Sequence, residues 1–116
     1  MASLLLFGIA LVLVALALPL VRRRVAPNAL YGLRVPATFA DETVWYDANA
    51  AGGRDLLVLA GVLTLAGVVL ALALPFASDA ALGIAVGLMV GGALAVAVVG
   101  WRRANRMLAE RRAGQP

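Results

Sequence analysis

An all-α integral membrane protein with three transmembrane helices is the fold class this sequence predicts, and three observations carry it. First, 64% of the 116 residues are hydrophobic and mean hydropathy is +0.98, whereas soluble domains hold about 45 to 50% apolar residues. Second, three runs lack any charged side chain: Ala2 to Val21, Leu56 to Ser78 and Ala80 to Trp101. Each reaches the roughly 20 residues that a helix needs to cross a hydrocarbon core about 30 Å thick. Third, all ten basic residues are arginine and lie outside those runs, where positive charge sets topology. The spans are placed at about 2–21, 55–75 and 80–101, with a loop at 22–54 and a basic tail at 102–116, in one domain.

The first span could be taken for a secretory signal because it is N-terminal and rich in Ala and Leu. No positive residue precedes it, however, and Arg22-Arg23-Arg24 follow it, so it reads as a retained anchor. Pro19 falls near its end, where a missing N–H costs little. Residues 22–55 carry Arg22, Arg23, Arg24, Arg34 and Arg54 against Asp41, Glu42, Asp47 and Asp55, the tail carries five arginines against Glu110, and the turn before the third span carries Asp79 alone. This asymmetry predicts that the loop and C-terminus lie in the cytoplasm and the N-terminus outside. A net charge of +4 and a pI near 11.1 would suit nucleic-acid binding in a soluble protein. Beside membrane spans the same charge is topological, and no nucleic-acid partner is expected.

The loop holds most of the chemically specific residues. A bend from Asn28 to Gly32 leads to an extended Arg34-Val35-Pro36, since proline biases the residue before it away from helix. A short interfacial helix is predicted from about Asp41 to Ala51, with Thr38 or Asp41 as its cap and Gly52-Gly53 as its stop. Val44, Trp45, Ala48, Ala51 and Gly52 share one face of it. Arg34 is placed to pair with Asp41 or Glu42, and Trp45 to seat the helix against the membrane or a partner.

The second span is expected to end at Pro75, with Phe76 to Asp79 forming a tight turn and Asp79 capping the third span. That span carries Gly83, Gly87, Gly91 and Ala95 at spacing four, a stripe that permits close helix approach, with packing inside the chain favoured over packing on another copy. The tail is predicted to prolong this helix near the headgroups, with Met107 and Leu108 set among its arginines.

Cysteine and histidine are absent, which excludes disulfides, thiolate metal sites, cysteine nucleophiles and histidine bases. Asp41 and Glu42 point about 100° apart on a helix and are explained by the positive end of its dipole. No ionisable group lies inside a span, so a proton relay is not expected. Thr64 is the one polar side chain deep in a helix, and its hydroxyl can bond back to the preceding turn. No catalytic, metal or cofactor-binding residue is predicted; the chain is not expected to be an enzyme or to need a cofactor.

Asn28, Gly32-Leu33-Arg34-Val35-Pro36, Glu42, Trp45 and Gly52-Gly53 resemble the N…GIRTP…E..W……GG pattern of the SdpI family, bacterial membrane proteins named for an immunity protein against a secreted toxic peptide. Leu33 stands for Ile, Val35 for Thr, Ala37 for a common Trp, and Asn49 for a frequent His. The resemblance implies the C-terminal three-helix part of such a protein. It also implies a role in immunity to a toxic peptide or in membrane signalling, with the motif residues docking that peptide or a regulatory protein. The alternative is a structural or accessory membrane subunit, or a small permease that works as a homo-oligomer.

Overall fold

A computed structural model describes residues 2–28, 31–73 and 78–114. Four helices follow in order: α1 (Ala2–Val21), α2 (Pro36–Ala40), α3 (Glu42–Ala73) and α4 (Asp79–Ala113). Among the described residues there is no strand. Three of the helices, α1, α3 and α4, are long and apolar enough to cross a membrane. The expected helix end at Pro75 and the turn through Phe76 and Ala77 lie outside the described residues.

The lengths decide the architecture. At 1.5 Å per residue, α1 spans about 30 Å, just the hydrocarbon thickness, while α3 and α4 reach about 48 and 52 Å. The bundle is a rod of 61 × 22 × 20 Å. Because α3 ends and α4 begins at the same end of the rod, their excess length projects at the loop end, where it builds a cap with α2.

Two cores result. Within the spans, Leu6 and Ala10 of α1 meet Ala60, Leu63 and Leu70 of α3 and Ala81 and Ala85 of α4. In the cap, Ala37, Val44, Ala48 and Ala104 form a second cluster, flanked by Leu33, Val35, Met107 and Leu108. The hydrophobic effect acts only on the second, since lipid tails are as apolar as the side chains they surround. The spanning pair α1 and α3 is held by close contact. Ser3 donates to the Gly67 carbonyl at 2.8 Å, and a Cβ on Gly67 would stand 2.5 Å from the Phe7 ring. Thr64 does donate back to Ala60 at 2.8 Å. By contrast α4 buries 6% of its most apolar window against 22% for each of the other two, and it touches α1 only briefly.

Three sequence expectations are corrected. The Gly52-Gly53 pair does not stop a helix: α3 runs unbroken from Glu42, so the interfacial helix predicted for 41–51 is the first third of a spanning helix. Each glycine costs about 1 kcal/mol of propensity, but a helix entering lipid must satisfy every backbone group, which favours continuation. Gly53 also permits α1 to approach, since a Cβ there would lie 3.0 Å from the Ala17 carbonyl oxygen. The separate short helix is α2, with Pro36 at its first position, where proline's missing N–H is harmless.

The cap of α4 is Ser78, whose Oγ accepts from the Ala81 N–H at 3.3 Å; Asp79 is the first helical residue. The stripe of Gly83, Gly87 and Gly91 does not pack within the chain. A Cβ on any of the three would meet nothing within 4 Å, and Ala95 is exposed as well. The glycines of α4 that do make contact are Gly92, against Leu59, and Gly100, against Leu33. The spacing identified the small residues but not the face that α3 covers.

Candidate functional site

After α1 the chain must turn back over the bundle. Arg23 takes a left-handed conformation with φ 58°. The Arg24 N–H then bonds the Pro19 carbonyl at 3.0 Å and the Arg23 N–H bonds Leu20 at 3.1 Å, a helix end usually given to glycine. The Arg23 guanidinium pairs with Asp47 on α3. Asn28 organises the next bend: its Oδ1 accepts from the Tyr31 N–H at 2.6 Å, while its Nδ2 donates to Ala26 at 2.9 Å and Tyr31 at 3.0 Å. The Tyr31 hydroxyl donates to the Leu16 carbonyl of α1, and burial raises its pKa, so it remains a neutral donor.

Gly32 has φ 101°, and a Cβ on it would stand 2.8 Å from Asn49 Oδ1 and 3.4 Å from the Trp45 ring. Only glycine meets both demands. Asn49 is 3% exposed; its Oδ1 accepts from the Leu33 N–H and its Nδ2 donates to the Trp45 carbonyl at 3.0 Å. Trp45 is fully buried, and its indole N–H donates to Val25 at 2.8 Å. Trp45 is therefore the body on which the loop is folded. Enclosed by its own chain, it has no exposed surface with which to seat α3 against the membrane, which corrects the anchor role expected for it.

Thr38 is not a helix cap but the third residue of α2. Its hydroxyl accepts from the Val35 N–H at 3.1 Å and lies 2.9 Å from the Leu33 and Val35 carbonyls. Asp41 does cap α3, its Oδ1 accepting from Thr43 at 2.8 Å and Val44 at 3.2 Å. Its other oxygen takes Arg111 of α4 at 2.9 Å. The Arg111 hydrogen bond lowers the Asp41 pKa, with the Val44 and Thr43 amides adding to it against desolvation. A second tie between the same helices joins Arg103 to Asp55 at 2.7 Å.

The predicted site residues thus divide. Asn28, Gly32 and Trp45 lie inside one network, with Gly52 and Gly53 about two turns beyond Trp45 along α3. Arg34, Pro36 and Glu42 are exposed on the outer face of the cap, together with Phe39, which is 53% exposed and whose ring centroid is 5.5 Å from that of Trp45. Gly83, Gly87, Gly91 and Ala95 belong to a different region.

Below the loop lies an apolar cleft of about 310 Å³ between α1, α3 and α4. It runs from Leu13 and Leu59 at its deep end to Leu20, Gly52 and Gly100 near the cap, where Tyr31, Gly32, Leu33 and Asn49 close it. Sequence reasoning named Asn49 only as a departure from the family pattern, and it missed that residue's buried role, the ion pairs that tie α4 to α3 and to the α3 cap, and this cleft. The packing of the tail did leave a trace: Ala104, Met107 and Leu108 recur at the spacing of one helix face among arginines.

The profile of the SdpI/YfhL protein family matches residues 24–101, from the end of the Arg22-Arg23-Arg24 run to Trp101, which closes the uncharged run of α4. No curated protein matches the chain, and no solved structure does. The match takes in the loop, the whole of α2 and α3 and the spanning part of α4, and the chain belongs to the SdpI/YfhL protein family.

Proposed function

We propose that this chain is a docking protein of the bacterial plasma membrane, giving immunity to a toxic peptide or relaying its presence by holding a regulatory protein at the cap. The observation that carries the reading is the outer face of the cap. Phe39 is left half exposed over a fully buried Trp45, and exposed Arg34, Pro36 and Glu42 stand on the same short segment. Phenylalanine and arginine are both enriched in protein interfaces, and the hydrogen-bonded loop beneath reduces the entropy lost on binding. The arginine asymmetry favours a cytoplasmic cap.

The test is protection of cells challenged with the toxic peptide, or the downstream signal, normalised to the amount of protein in the membrane. Arg34→Lys keeps charge but loses the planar fork, and Phe39→Ala removes the exposed ring. Each is expected to weaken the response about tenfold, a loss of roughly 1.4 kcal/mol, as for one of the minority of interface residues that cost more than about 1 kcal/mol when truncated. Full activity of both would contradict docking through this face. A second reading, an accessory subunit or permease working as a homo-oligomer, is favoured by the outward glycine stripe on α4. Cross-linking between Gly87→Cys copies in the bilayer would support it.

A further inference from the structure

We infer that the cleft between α1, α3 and α4 is a binding site for one acyl chain of an anionic phospholipid, which enters from the bilayer between α1 and α4. Its walls come from the spanning windows, so the medium at its mouth is lipid. The two helices that flank the opening barely touch, and small residues on both sides, Gly52 of α3 and Ala97 of α4, keep the cleft clear. A Cβ on Gly52 would meet nothing within 4 Å.

Shape and chemistry select the occupant. Along the helices the site runs seven residues on α1 and ten on α3, about 10 to 15 Å, which makes it long and narrow. At about 310 Å³ it has twice the room of the roughly 150 Å³ apolar cavity that takes a benzene ring, enough for about a dozen carbons. Among the described residues every buried side-chain nitrogen and oxygen already has a partner. Asn49 and Tyr31 at the closed end are spent on Leu33, Trp45 and Leu16, so nothing there asks for a polar ligand. An empty cleft would forfeit the contacts of all its walls, while hydrocarbon is present at its mouth at bulk density.

The headgroup follows from charge. Arg22, Arg54 and Arg102 are exposed, each two residues from a wall residue near the cap, namely Leu20, Gly52 and Gly100. Arg54 and Arg102 stand across their helices from those wall residues, so the guanidinium groups ring the bundle at the depth where the headgroup of a seated lipid lies, and positive charge at that depth favours anionic lipid.

The probe is phosphatidylglycerol carrying a diazirine midway along one chain, photolysed in nanodiscs of the full chain and compared with the same probe on phosphatidylcholine. Peptide mapping is expected to place label on cleft residues such as Leu13, Leu59 and Ala97, with phosphatidylglycerol labelling them more than phosphatidylcholine. Ala97→Leu and Gly52→Leu fill the cleft from opposite sides and should each cut that label about tenfold, as expected when a leucine displaces two buried methylenes. Gly87→Leu, on the open face, should leave it unchanged. Label spread over the outward face of α4 with none in the cleft of the parent protein would overturn the site. Equal labelling by both lipids would overturn the anionic assignment. The map on the parent chain decides both points even if the cleft-filling variants fail to fold.

Discussion

At the scale of single residues, the motif that carries the family likeness is mainly a folding device. Trp45, Asn49 and Gly32 form one unit in which the indole fills the space, the amide pairs the loop backbone, and glycine keeps the loop close enough for both. Trp45→Ala should cost about 3 to 5 kcal/mol, as for a large buried aromatic. Gly32→Ala should cost about 1 to 3 kcal/mol for its strained backbone alone. Melting of the purified protein in detergent checks both; a parent-like transition in either would mean that the loop is not seated on Trp45. The special residues were legible in the sequence as residue types, and the buried face of Val44, Trp45, Ala48 and Ala51 was legible from periodicity. What covers that face was not, because periodicity describes one helix and Trp45 is buried by the chain at Val25 and Gly32, 20 and 13 residues away.

At the scale of elements, the glycines separate into those that let helices meet and those that face outward. Gly53 sits against backbone of α1, which cannot yield as a side-chain tip can. Gly53→Leu should therefore push α1 from α3 at a cost of about 1 to 3 kcal/mol, whereas Gly87→Leu should leave monomer stability unchanged. Comparing the two melting temperatures in detergent checks this, and equal destabilisation would show that the Gly87 face is covered within the chain. The three spans were plain from hydropathy. The boundary at Gly52-Gly53 was misplaced because glycine's local propensity points to a stop, while the lipid around α3 and the closeness of α1 decide for continuation. The ties of α4 to the cap were hidden for another reason: Asp41 and Arg111 are 70 residues apart, and nothing local to either announces the pair.

At the scale of the whole molecule, a thin three-helix span supports a folded cap built from the overhang of α3 and α4. The arginine distribution predicts that a fluorescent protein fused to the C-terminus glows in the cytoplasm, while alkaline phosphatase fused after Asp79 is active outside; reversed activities would overturn the orientation. The cap has its own core, with Ala48 and Ala104 inside it and Phe39 and Ala109 on its surface. Because the chain has no cysteine, single replacements report on this without background. The most direct measurement is the rate at which a water-soluble maleimide labels Phe39→Cys, Ala109→Cys, Ala48→Cys and Ala104→Cys in native membranes opened to the reagent. The first two should react quickly and the last two only after denaturation. If Ala104→Cys reacted as fast as Ala109→Cys, the tail would not be packed on α3 and the cap would have no core.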